Sequence, residues 1–88
     1  MKEKEITKVL KALANARRLR ILSHLKKENG ATVSGVARNI KLSFKATSKH
    51  LIILYAAGII EKEQRSLDVY CCITKNVPQF VKYILKSL

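Results

Sequence analysis

The tightest constraint on the fold of this chain is a three-residue connection, Lys41-Leu42-Ser43, between two segments whose apolar residues recur at helical spacing. Before it, Val33, Val36, Ala37 and Ile40 fall on one face of a helix only about two turns long, and Thr32 is placed to cap it. After it, the Ser43 hydroxyl can accept a hydrogen bond from the free N–H groups that open a helix running from Phe44 to Ala57, which Gly58 stops. Two helices around so short a turn predict a helix-turn-helix.

Upstream, Ile6, Val9, Leu10 and Leu13 form one apolar stripe, with Lys8 and Lys11 outside it. Asn15 is a cap for a second helix from Ala16 to about Glu28, in which Leu19, Leu22 and Leu25 face inward while Arg17, Arg20 and Lys27 do not. Asn29-Gly30 ends it. Downstream of Gly58 the segments Ile59 to Glu63 and Leu67 to Ile73 are rich in β-branched and aromatic residues on either side of Gln64-Arg65-Ser66. They predict a β-hairpin whose tip lies anywhere from Gln64 to Asp68, because the favoured Asn-Gly or Asp-Gly pair is missing. A last helix opens at Asn76 as cap, with Pro78 in its first turn, and carries Val77, Phe80, Val81, Ile84, Leu85 and Leu88. The expected architecture is mainly α with one β-hairpin, in the order α-α-α-α-β-β-α, as a single domain over residues 1–88.

Eighty-eight residues support one modest core, and a chain this short often gains stability by pairing with a second copy. The apolar terminal helices are the natural surface for that homodimer, through residues such as Ile6, Val9, Leu10, Val81, Ile84 and Leu85. The alternative is a last helix folded wholly onto its own domain. No apolar run approaches the roughly 18 to 20 residues that span a bilayer. The opening Met1-Lys2-Glu3-Lys4-Glu5 is too mixed in charge for a signal peptide, so a cytoplasmic location without membrane attachment is expected.

Eighteen Lys and Arg against six Asp and Glu leave a formal charge of +12, which favours a polyanionic partner. Along the segment after Ser43, Lys45, Ser48, Lys49 and Ile52 fall on one side and Thr47, Leu51 and Leu54 on the other. A helix entering the major groove of duplex DNA needs this division: cations reach phosphates or guanine acceptors, and a small hydroxyl lets the backbone approach base edges. The bland alternative is a solvated basic face. Lys62, Gln64 and Arg65 lie at or near the hairpin tip, where they can reach a flanking groove or phosphate, unless the turn is simply polar.

The stretch Leu10-Lys11-Ala12-Leu13-Ala14-Asn15-Ala16-Arg17-Arg18-Leu19-Arg20-Ile21-Leu22 resembles the opening signature of ArsR/SmtB-type repressors. Leu42-Ser43-Phe44-Lys45-Ala46-Thr47-Ser48-Lys49-His50-Leu51, followed by Leu54, Ala57-Gly58 and Ile59, is similar to the recognition-helix pattern of the same family, in the expected order and spacing. The resemblance implies a dimeric winged helix-turn-helix transcriptional regulator, a repressor, with Ser43, Lys45, Ser48, Lys49 and His50 on the DNA-reading helix. Phe44 departs from the pattern, which often has Gln there; it cannot donate that hydrogen bond, but it can contact a thymine methyl or pack between helices. His50 lies nearer the packed side, which suits a structural or phosphate-contacting role, and His24 is expected to be structural or exposed.

Metal sensing, common among proteins of this type, has no familiar site here. Ala31-Thr32-Val33-Ser34-Gly35 stands where many relatives have a Cys-Val-Cys element, and residues 76–88 contain no Asp, Glu or His. No cofactor is expected. Cys71 and Cys72 can act as a redox switch or contribute to an unusual metal site, but adjacent strand residues point to opposite faces, which prevents ordinary joint chelation of one ion, and small buried strand residues are the default. No paired carboxylates, nucleophile-base spacing or phosphate-cradling glycine loop points to an enzyme. The functional expectation is sequence-specific binding of double-stranded DNA; the alternatives are a sequence-tolerant, charge-driven DNA-coating protein and a protein-protein adaptor on the same fold.

Overall fold

In a computed structural model that describes residues 1–88, side-chain caps set the starts of three helices. Asn15 Oδ1 accepts from the Arg18 N–H, Thr32 Oγ1 from the Gly35 N–H and Ser43 Oγ from the Ala46 N–H, each at 3.1 Å. The helices are α1 (Glu3–Leu13), α2 (Ala16–Glu28), α3 (Val33–Ile40), α4 (Phe44–Ala56) and α5 (Gln79–Lys86). The strands are β1 (Ala31–Thr32), β2 (Ile60–Arg65) and β3 (Asp68–Ile73). Three helices end in the left-handed manner. At the end of α4, Gly58 (φ 75°) lets Ile59 N–H donate to the Leu54 carbonyl and Gly58 N–H to that of Tyr55, both at 3.0 Å, while Leu54 and Ile59 are both buried. Asn29 and Lys41 adopt φ 55° and 58° at the ends of α2 and α3, so the tight connection into α4 is made by a lysine in a region that glycine usually fills.

Strand β1 was not expected. It pairs antiparallel with β3, Ala31 opposite Cys71 and Thr32 opposite Tyr70, and turns the hairpin into a three-stranded sheet of order β1-β3-β2. Two residues are too few to show an alternating pattern, and Thr32 serves at once as strand residue and as cap of α3. The start of α5 also differs from the sequence expectation: Pro78 (ψ 154°), not Asn76, stands at the cap position, and its carbonyl accepts from Val81 and Lys82 N–H at 3.0 Å. A proline disfavours helical geometry in the residue before it, so Val77 stays outside the helix and is buried instead.

The core gathers around α2, which packs against the other four helices and β3. Ile21, Leu22 and Leu25 are buried, while Leu19, expected on the inward face, only flanks the core. Val36, Leu51, Leu54, Ile59, Ile60, Cys71 and Val81 complete its fully enclosed centre. Val9, Val81 and Leu85, assigned from the sequence to a subunit interface, are buried in the chain's own core. Ile6 and Ile84 are half-buried and Leu10 remains 46% exposed. Lys26 of α2 fastens α5 by donating to the Leu85 carbonyl at 2.9 Å, a cation on a helix C-terminus. No helix is long and apolar enough to cross a membrane.

A hydrogen bond ties the sheet to the end of α2, where the Tyr70 hydroxyl donates to the Asn29 carbonyl at 2.8 Å and lies over Gly30. A β-carbon on Gly30 would overlap that hydroxyl, and its φ of 106° disfavours any side chain. Gly30→Ala should therefore lower unfolding free energy by about 2–4 kcal/mol. Tyr70→Phe should cost about 1 kcal/mol through the lost hydrogen bond. Urea titration checks both, and the Gly30→Ala penalty should shrink in a Tyr70→Ala background, where only the backbone strain is left.

Candidate nucleic-acid interface

Thr47, Leu51 and Leu54 are buried and fix how α4 is turned on the body. That turn leaves Lys45 and Lys49 exposed and Ser48 half-exposed, with Ser43 at the helix entry. Phe44 and Ile52 are also outward, 56% and 55% exposed. The division expected from helical angles is the one observed. Phe44 does not pack between helices.

The hairpin closes on a two-residue turn, Ser66-Leu67, with Arg65 opposite Asp68 and Gln64 opposite Val69. Ser66 takes the positive φ (57°) that such a turn demands. The three expected wing residues are all exposed but do not project alike. Lys62 Nζ sits 4.2 Å from the centroid of the Tyr55 ring on α4, which joins wing to helix. Arg65 stacks 3.8 Å over the Tyr70 ring and pairs with Glu63 at 3.0 Å, and the Glu63 carboxylate raises its already high pKa. Gln64 Nε2 donates to the Ser66 carbonyl at 3.1 Å. The outermost side chain is instead Leu67, fully exposed, which sequence patterning gave no reason to single out.

The charge is unevenly placed. Glu61, Glu63 and Asp68, three of the chain's six acidic residues, lie on the hairpin. The positive excess therefore belongs to the helices and the turn between α3 and α4, including Arg17, Arg20, Arg38, Lys41, Lys45 and Lys49. Among these elements Arg18 has a separate task. Its Nε donates to the Ala12 carbonyl at 2.6 Å and Nη2 to that of Lys11 at 3.1 Å, while Nη1 lies 3.3 Å from His50 Nδ1. A guanidinium only donates, so Nδ1 accepts and the ring proton sits on Nε2. Burial first, then the charges of Arg18 and Arg17, holds the His50 pKa below its ordinary value. His50 thus faces the α1 end, not the outward side shared by Lys45 and Lys49.

Cys71 is buried in the core beside the half-buried Cys72, and both are free thiols. Burial pushes the Cys71 thiol up, away from the reactive thiolate. No three His, Cys, Asp or Glu side chains come together as a metal-binding group.

Residues 15–62, which run from the cap of α2 into β2, match the model of the arsR family of bacterial regulatory proteins. The chain belongs to the ArsR family. Reduced HlyU from Vibrio cholerae superposes with a TM-score of 0.81 at 29% identity, covering 97% of this chain and 85% of that one. NolR from Sinorhizobium fredii does so with 0.80 at 30% identity, over 96% and 80% of the two chains. A homodimeric winged helix-turn-helix DNA-binding domain from Mycobacterium bovis, a possible ArsR-family transcriptional regulator, gives 0.80 at 26% identity over 96% and 74%. No curated protein sequence matches the chain. The fold is the winged helix-turn-helix, with α3 and α4 as its helix pair and β2–β3 as its wing, and family and fold are those of transcriptional regulators.

In this ArsR-family chain the His50 environment carries a pH dependence. Because the folded pKa lies below 6.5, the unfolded chain binds more protons as the pH drops, so stability is full above 6.5 and declines below it. Urea midpoints between pH 7.5 and 5.5 should fall more steeply for the wild type than for His50→Gln.

Proposed function

We propose that the chain is a sequence-specific regulator of transcription that binds duplex DNA as a homodimer and acts as a repressor. Its α4 would enter the major groove with Ser43, Phe44, Lys45, Ser48 and Lys49 at the bases and phosphates, His50 holding the helix from behind. The wing, through Lys62, Gln64 and Arg65, would lie on the flanking groove or backbone. The observation that carries this reading is the outward display of Lys45, Ser48 and Lys49 on the first turns of a helix whose opposite side is locked into the core. The charge of +12 supports a polyanionic partner, and repression accords with the resemblance to ArsR/SmtB-type repressors.

Pairing of two copies is supported by the homodimeric Mycobacterium bovis relative and by apolar surface left on the terminal helices. On α1 this is Leu10 beside half-buried Ile6; on α5 it is Ile84 beside Tyr83, which is 74% exposed. Two recognition helices related by a twofold axis would meet successive major grooves about 34 Å apart, on an inverted repeat.

Sites selected from random duplex DNA should share such a repeat and show discrete footprints; uniform protection would instead mean charge-driven coating. Lys45→Ala and Lys49→Ala should each weaken binding to the selected site by about tenfold and lower the salt slope by about 0.9 per phosphate contact removed. Unchanged affinity in both would exclude α4 as the reading element and favour an adaptor role. Leu10→Glu with Ile84→Glu should halve the mass measured by sedimentation and abolish high-affinity binding while helical content is kept.

A further inference from the structure

Phe44, Ser48 and Ile52 follow one another at intervals of four along α4, so they form a single line on its outward side. Two large apolar side chains more than half exposed on that line are not explained by the body of the protein, because neither belongs to its core. The line borders a shallow cleft between α4 and the wing, with Val33 and Val69 on its walls and Lys62 at its rim. None of the lining residues is acidic, although the hairpin alone carries three carboxylates. Lys45 and Lys49, each one residue after Phe44 and Ser48, form a parallel row along one side of the line, and Lys62 stands on the other, at the rim of the cleft. The surface is thus apolar in the middle and cationic at its edges.

Given the DNA-binding reading above, on which this inference rests, the geometry points to thymine as the base that α4 reads: Phe44 and Ile52 receive thymine 5-methyl groups in the major groove. That methyl is the one apolar group a base pair presents there, and it alone suits side chains with no donor or acceptor. The flanking lysines match the phosphates on either side, a complementarity that an apolar protein partner would not supply. Ser48, between the two, can donate to or accept from a neighbouring base edge. Phe44 and Ile52 are about 12 Å apart along the helix. At 3.4 Å per step this corresponds to thymines about three or four base pairs apart.

The test replaces each thymine of the selected duplex in turn by deoxyuridine, which removes only the methyl, and measures affinity by fluorescence anisotropy. Wild-type protein should bind about three- to fivefold more weakly for each contacted methyl removed. Phe44→Ala and Ile52→Ala should each lose the thymine-to-uracil discrimination at one position, leaving a ratio near one there, while Ile52→Val should retain it. The inference is overturned if wild-type protein tolerates deoxyuridine at every position, or if discrimination survives both alanine substitutions. It is equally overturned if these substitutions change the mass of the free protein in solution, since the surface would then join copies of the chain. Enrichment of a definite site that ignores the methyls would sink this inference and leave the regulator reading standing; no enrichment at all would sink both.

Discussion

Burial of Thr47, Leu51 and Leu54 decides the rotation of α4 about its axis, and the candidate interface follows from that rotation. Full burial of the two leucines contributes about 3–6 kcal/mol together. Rolling the helix by one residue, about 100°, would forfeit that and press Lys45 or Lys49 toward the core, where an unpaired ammonium is far more costly still. No surface ion pair competes with terms of this size. The cationic side of α4 is outward because the other side has nowhere else to go.

What holds α4 at its middle is different in kind. Arg18 closes the last turn of α1 through two carbonyls and meets His50 with its remaining nitrogen, so the helix that bears Leu10 and the helix that bears Lys45 share one side chain. On the other flank Lys62 lies over Tyr55 and couples the wing to the same helix. The wing itself has little net charge to offer. Glu63 holds its arginine against Tyr70, and its tip presents Leu67, so the positive field of the chain arises on the helices and not on the hairpin.

Much of this was legible in the residues. Asn15, Thr32 and Ser43 cap the helices they were expected to cap, because capping is a contact between a side chain and a backbone three residues away and needs no tertiary context. The face of α4 was legible for the same reason: helical spacing is local. The turn at Ser66-Leu67 was bracketed but not located, since neither residue is one that commonly takes positive φ and only the register with β3 selects it. β1 leaves no mark in the residues because a two-residue strand exists only by virtue of its partner.

The amino-acid sequence by itself determined where the helices begin, which of their faces are apolar, that the chain carries a large positive charge, and which family it resembles. Tertiary structure alone decided how the apolar residues are shared out. Val9, Val81 and Leu85 look in sequence like Leu10 and Ile84, yet the first three are buried in the chain's own core around α2, Ile84 is only half-buried against it and Leu10 stays exposed. It also decided that Arg18 serves His50 and the end of α1, and that Arg65 lies against Glu63 and Tyr70. Periodicity reports that a face is apolar or charged; only the packing of one element on another reports what that face meets.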